Sequence, residues 1–486
     1  MKKHFPKFIL RHRLIAISVI YLLSRLPFLT KLPIFNDEAI YLDWGWKSLH
    51  TTAGLFYSLY DAKLPLLIWI FGVFESVVHS PLFMGRLVSI IAGLITLIGI
   101  YKVAKELEGG GVALLSSVFY IAIPLFVFFD RQALMESAVA AAGVWSFYFL
   151  LQILETKKDR YLIYLGAALG IGIFIKLQAI VFLVTIVFIL TYNRHFKAAV
   201  LSLVTSLVVL SPLFIQKIFW ESLTSNNRFM LSIPEVLGLP FTLWVNNIST
   251  TASVLFFHLT PIIIILAIYG VYLFLKRKKI TLPIFFLVNI ILVLLLGRSL
   301  NPRYLSAFLV PVSIFCSCAI LSFKKPFPLL VGGVAVLPAV AFTTLLIFSP
   351  IKYFTFLDKM TVTSQKDGYM NNWTSGYGIP ETVSYLENLS KGKQIIVGVR
   401  LDAGNPESAI FTYFNGSENI MVTYIDPRIL NPDLLKLPCL PSNIPVYFVA
   451  RGGILNGLDK FFQEEKRFGK PEGEQYISIH SLKKCN

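Results

Sequence analysis

Two adjacent carboxylates, Asp37 and Glu38, stand in LTKLPIFNDEAIYLDWGW, just after an apolar run and among Tyr41, Trp44 and Trp46. Aromatic rings of this kind gather at membrane–water boundaries. A carboxylate held there can take the proton of an acceptor hydroxyl as a general base. The same residues also read as a solvated loop in which Asp37 caps a helix through AIYLDWGWKSL. Asp130, Arg131 and Glu136, in FFDRQALMES, end another apolar run and by themselves form an ordinary charged loop. Lys176 in GIFIKLQAIVF separates two apolar runs with almost no loop around it. An ionisable group that deep marks a functional site by default, unless its stem snorkels to the surface. Lys63, Arg298 and Arg303 join Arg131 and Lys176 as the cations that a phosphate would require, arginine offering two parallel donors.

The elements that must position these residues are apolar spans. The chain has 486 residues, 56% hydrophobic and 15% charged, with a mean hydropathy of +0.69. Soluble domains average about 45–50% apolar and about 25% charged. Twelve apolar runs fall near 13–30, 64–79, 85–104, 111–129, 134–154, 160–175, 177–192, 198–218, 253–275, 281–297, 304–322 and 328–349. The first lacks a small-residue cleavage site and reads as a retained span. The net charge of +17 is accounted for by Lys and Arg in short loops, as the positive-inside rule requires, so no nucleic-acid partner is expected. Cys316 and Cys318 lie in an apolar span, and Cys439 and Cys485 in the polar C-terminal region, where pairing is left open.

Charge also fixes the expected topology. The run 64–79 is short and contains Glu75 and His79, so it reads as an interfacial segment. Without it as a span, the basic N-terminus, Lys102 to Lys105, Lys157 to Arg160, Arg194 to Lys197, KRKK at 276–279 and Lys324 with Lys325 all share one side. The expectation is a polytopic α-helical membrane protein of about eleven spans in the plasma membrane, N-terminus cytoplasmic. Residues 1–350 would form the membrane domain and 351–486 an extracytoplasmic α/β domain. The outer face would carry a loop at 31–84 with interfacial helices, DRQALME, a loop at about 219–252 and GRSLNPR. Asn-x-Ser/Thr sequons at Asn247, Asn372, Asn388 and Asn415 would fall there too. In the C-terminal region KQIIVGVRL, NIMVTYID, PVYFVAR and QYISIHSL read as strands, and IPETVSYLENL as a helix with Pro380 and Glu381 in its first turn. Neither GxxxxGK nor GxGxxG occurs, so no nucleotide is implied.

NDEAIYLDWGW after a first span ending RLP, then KLPLLIWIFGVF, then GRLVSIIAGLITLIGIY, resembles the membrane glycosyltransferases of the C-type fold. The protein O-mannosyltransferase and aminoarabinose-transferase branch is the most similar. Its DE pair matches Asp37-Glu38, and its Lys-x-Pro stretch matches Lys63 and Pro65. Its second-loop motif matches Arg131 with Glu136 in place of the commoner Asp, and its Arg-Tyr pair matches Arg303-Tyr304. The resemblance covers about residues 13–322. It implies a polyprenyl-phosphate sugar as donor and inverting attack by an acceptor hydroxyl. Asp37 would be the base, and Glu38 and Glu136 would orient Asp37 or the acceptor. Lys63, Arg131, Lys176, Arg303 and Tyr304 would bind the lipid phosphate. Asp130 and Glu136 could hold a cation, but no His cluster accompanies them and the donor lacks a diphosphate, so no obligatory metal is expected. The acceptor (protein, lipid or glycan) and the oligomeric state stay open. A secondary transporter or lipid flippase is the main alternative, although transporters place their polar site near the midplane.

Overall fold

The computed structural model describes residues 7–486 except 53, 76, 78, 79, 157, 226–229, 299, 361–366, 441, 472, 485 and 486. Helix α1 (Lys7–Arg25) leads to α2 (Asn36–His50), a 3-10 turn (Tyr57–Asp61) and α3 (Leu66–Glu75). A bundle follows: α4 (Pro81–Glu108), α5 (Gly110–Ala122), α6 (Pro124–Asp130), α7 (Glu136–Thr156), α8 (Arg160–Ile175), α9 (Ile180–Tyr192) and α10 (Phe196–Phe214). After α11 (Lys217–Ser225) and α12 (Ile233–Leu237) come α13 (Phe241–Leu259), α14 (Pro261–Lys276), α15 (Thr281–Leu296), α16 (Pro302–Ser306), α17 (Val312–Ser322), α18 (Phe327–Phe348) and α19 (Pro350–Met360).

Among the described residues, α4, α7, α10 and α18 are single helices long and apolar enough to cross a membrane. Two bent pairs raise the number to six: α5 with α6, at 67°, and α16 and its 3-10 extension with α17, at 53°. The bends fall at Pro124 and Pro311, where the ring removes a helix hydrogen bond. α8, α9, α14 and α15 are shorter apolar helices, so helix length alone does not fix the count of eleven. The ten residues of α3 reach about 15 Å, half of a hydrocarbon core of about 30 Å, so α3 alone is no span.

Two segments expected to be loops are structured. Part of 219–252 is helical, in α11, α12 and the first half of α13, and the expected span 253–275 is broken at Thr260 between α13 and α14. The DRQALME loop is not a solvated loop: Asp130, Arg131, Gln132 and Glu136 are all buried, drawn inward by the α5–α6 bend. Within 31–84 the chain is helical in α2, in the 3-10 turn and in α3. Gly45 of α2 and Gly72 of α3 let the two backbones touch, since a Cβ on Gly72 would lie 2.2 Å from Gly45 O.

The C-terminal region carries α20 (Ile379–Leu389), β1 (Ile395–Val399), α21 (Glu407–Phe414), β2 (Ile420–Tyr424), α22 (Pro432–Lys436), β3 (Val446–Arg451), β4 (Phe462–Gly469) and β5 (Tyr476–Leu482). The sheet order is β2-β1-β3-β5-β4. β1 runs parallel to both neighbours, with Ile396 paired to Met421 and to Val446, whereas β5 is antiparallel to β3 and β4. Ile395, Val397 and Val399 of β1 are buried with Ile410 and Phe414 of α21 and Leu386 of α20, which makes a small α/β layer. Cys439 is disulfide-bonded; Cys485 lies outside the described residues.

The sheet region is tied directly to α2. Thr412 Oγ1 donates to Ala39 O at 3.0 Å, and Asn36 N to Thr374 O at 2.9 Å. Asn405 Nδ2 donates to both Ile34 O and Thr374 O, at 3.1 and 3.0 Å.

Candidate active site

The first turn of α2 places its two carboxylates in different surroundings. Asp37 is not the cap of this helix. Glu38 serves that end, its Oε2 accepting from Phe35 N at 2.9 Å. Successive helix positions point about 100° apart, so Glu38 turns inward while Asp37 stays at the rim. Glu38 is wholly buried and receives Arg86 through two parallel bonds, Nε to Oε1 at 2.8 Å and Nη2 to Oε2 at 2.7 Å, plus Ala133 N at 2.6 Å. Arg86 also donates to the carbonyls of Leu29, Leu32 and Pro33. This pair fixes the loop before α2 against α4.

Asp37 belongs to a second cluster, organised by Arg303 in the first turn of α16. Arg303 Nη1 bonds Asp37 Oδ2, its Nε bonds Glu136 Oε1 at 2.6 Å and its Nη2 bonds Tyr41 Oη at 3.2 Å. Asn301 caps this turn by accepting from Arg303 N at 3.0 Å. Lys176, in the break between α8 and α9, reaches the same Glu136 oxygen at 2.8 Å and lies 4.9 Å from the Tyr304 ring centre. Gln178 Nε2 holds Tyr304 O at 2.7 Å. Glu136 Oε2 is buried without a partner among the described residues. The Asp37 side chain is 29% exposed against 2% for Glu136; Asp37 is therefore the acid that a second molecule can reach.

The electrostatics keep Asp37 ionised. Burial alone would raise its carboxyl, but the Arg303 guanidinium, Lys63 and the Asn36 amide outweigh burial and hold it below the usual carboxylate value. Lys63 is pushed below its ordinary value by burial, against the raising influence of Asp37 and Asp61. It thus lies within electrostatic reach of the same cluster.

Asp37, Glu136, Lys63, Lys176, Arg303 and Tyr304 are therefore brought together. Glu38 is not among them, and neither is Arg131, whose guanidinium donates to the carbonyls of Arg25, Pro27 and Phe28 where α1 ends. Asp130 also points elsewhere. It pairs with Arg25 at 3.2 Å and accepts from Tyr120 and Ser137, so Asp130 and Glu136 do not face a common cation position. Among the described residues no group of three or more His, Cys, Asp or Glu side chains could hold a metal. Arg25 and Arg86 were not singled out from the sequence, though both are charges in apolar helices, the signal that picked out Lys176. Tyr369, packed 4.5 Å from Phe35 and 4.9 Å from Phe128 between ring centres, carried no such signal.

Residues 62–220 match the dolichyl-phosphate-mannose-protein mannosyltransferase family. None of the curated proteins compared with the chain matches it. ArnT from Cupriavidus metallidurans bound to undecaprenyl phosphate is similar in fold, with 14% identity over 98% of each chain and a TM-score of 0.58. The apo state of ArnT gives 14% identity, 96% and 97% coverage and a TM-score of 0.60. The archaeal oligosaccharyltransferase AglB from Archaeoglobus fulgidus, in complex with an inhibitory peptide and a dolichol-phosphate, gives 11% identity and a TM-score of 0.53. That match covers 83% of this chain and 63% of AglB. The chain thus shares its fold with these membrane proteins, and its segment 62–220 is similar to the mannosyltransferase family.

Proposed function

We propose that the chain transfers a sugar from a polyprenyl-phosphate donor to an acceptor hydroxyl at the outer face of the plasma membrane, with inversion. The observation that carries this reading is the Arg303 node. One partly exposed carboxylate stands beside a guanidinium and two ammonium groups, at the end of the bundle that the sheet region covers. Asp37 takes the proton of the acceptor hydroxyl as its oxygen attacks the anomeric carbon. The bond from that carbon to the phosphate oxygen breaks, and its electron pair leaves with the polyprenyl phosphate. Arg303, Lys63 and Lys176 stabilise the charge that develops there, with Tyr304 fixing the Lys176 ammonium. Glu136 orients Arg303 and Lys176. Glu38 acts through Arg86 by setting the position of α2, and Arg131 by closing the end of α1. Residues 1–350 form the transferase domain in this reading, with the N-terminus cytoplasmic, and 351–486 the extracytoplasmic domain. No metal takes part in these steps.

The test is release of polyprenyl phosphate from a panel of polyprenyl-phosphate sugars by purified protein, followed against pH. The sign follows from the lowered carboxyl of Asp37: the basic form is lost only as pH falls through that lowered value. kcat/KM should stay level down to about pH 4, near the ordinary aspartate value. Arg303→Gln should move the acid limb upward, because burial then acts unopposed by that cation. Lipid movement without sugar transfer, or a wild-type limb near neutrality, would point to a different activity or a different base.

A further inference from the structure

A crevice that the chemistry above does not use lies where α1 and α18 end. The segment after α1, the residues around the end of α6 and the junction of α18 with α19 enclose about 300 Å³ of empty space, its mouth included. Arg86, Arg131 and Gln132 are its polar lining residues. Three guanidinium groups, those of Arg25, Arg86 and Arg131, are buried around it. Asp130 answers Arg25 and Glu38 answers Arg86, but among the described residues no carboxylate pairs with Arg131. Its guanidinium holds only the carbonyls of Arg25, Pro27 and Phe28. Of the five donors that an arginine carries, two are thus uncommitted among the described residues. Burial, and then the charges of Arg86 and Arg25, hold Arg131 below the ordinary arginine value. A buried charge without a counter-charge is costly, and this one borders open space. Gln132 Oε1 is buried there without a partner among the described residues.

The open side of the crevice has the composition of a membrane boundary. Phe28, one of its lining residues, meets Phe348 edge to face with ring centres 5.2 Å apart, and both are more than half exposed. Lys31 Nζ lies 5.5 Å from the Phe28 ring centre and donates to Phe348 O at 2.6 Å, so an exposed cation stands beside these rings. α18, which ends at Phe348, is long and apolar enough to cross a membrane. Leu337 and Val340 of α18, and Ile20 and Leu23 of α1, are exposed apolar side chains on the helices that lead to this end. Aromatic rings and lysines at the ends of such helices sit at the level of lipid headgroups.

We propose that this crevice binds the phosphate headgroup of an anionic membrane phospholipid. The phosphodiester takes the uncommitted donors of Arg131, whose planar fork suits phosphate, and Lys31 adds charge at the mouth. A headgroup hydroxyl donates to Gln132 Oε1, and the acyl chains lie along α1 and α18. The lipid thereby supplies the counter-charge that the three guanidinium groups lack. No residue of the Arg303 node lines the crevice, so this inference and the transferase reading stand or fall separately. The test is native mass spectrometry of the full-length protein in detergent with dioleoylphosphatidylglycerol, dioleoylphosphatidylcholine, undecaprenyl phosphate or inorganic phosphate. One phosphatidylglycerol should be retained, about ten-fold more tightly than phosphatidylcholine, as a charge-assisted hydrogen bond is worth. Arg131→Gln should remove that preference. Lys31→Gln, at an exposed position where folding is not at stake, should weaken it about five-fold, the worth of one cation near anionic lipid. The proposal is overturned if the two phospholipids are retained equally or if both variants hold phosphatidylglycerol like wild type. Displacement one for one by undecaprenyl phosphate would overturn it by making the crevice the donor's site, and displacement by inorganic phosphate by making it a free-anion site.

Discussion

Asp37→Asn is expected to lower kcat by about 10²–10⁴-fold, the range for removing a positioned general base, while the protein stays folded. The amide has the size of the carboxylate, so the rim of α2 keeps its shape. Its carbonyl can still accept from Arg303, which in any case retains Glu136 at 2.6 Å. What disappears is the group that takes the acceptor proton. Because Asp37 also competes for Arg303, its neutralisation leaves that guanidinium more available to a lipid phosphate. KM for the donor should therefore hold or fall while kcat collapses, a split that a merely structural role would not produce. The check is initial-rate kinetics on purified variant beside a thermal melt. Near-full turnover would remove Asp37 from the mechanism.

The largest loss of stability should come from Arg86→Leu. Arg86 and Glu38 are both fully buried, with two parallel bonds between them. Deleting one partner of such a pair leaves an uncompensated charge and costs about 3–5 kcal/mol. Here the orphaned carboxylate would keep only the backbone donors of Phe35 and Ala133. The carbonyls of Leu29, Leu32 and Pro33 would lose their donor as well. The loop into α2 should loosen, so Asp37 is displaced and activity falls with stability. Thermal unfolding in detergent should show Arg86→Leu melting well below wild type and below Asp37→Asn. An unchanged melting point would mean that this buried pair does not hold α2.

The sequence made the membrane class and the main members of the candidate site legible, for reasons that particular residues show. Apolar length reports spans directly, and Lys176 stood out because a charge between two apolar runs needs a partner, which proved to be Glu136 at 2.8 Å. Adjacency in sequence misled for Asp37 and Glu38. They lie next to each other in the chain, yet the helical turn sends one to Arg303 and the other to Arg86. Arg131 and Asp130 looked like a solvated loop because nothing local announces that the α5–α6 bend carries them inward. β4 was missed since FQEEKRFG is an edge strand, largely exposed, and edge strands favour charges that block further pairing. The contacts of Tyr369 with Phe35 and of Gly404 with Asn36 join residues more than 300 positions apart, which no local pattern encodes.

Cryo-electron microscopy of the purified protein with undecaprenyl phosphate tests the central claim most directly. The phosphate should lie within hydrogen-bonding reach, about 3 Å, of Arg303 and of Lys63 or Lys176, beside Asp37 and with the polyprenyl tail running down the bundle. A phosphate bound deep between the helices, with Arg303 still holding only Asp37, Glu136 and Tyr41, would contradict the account.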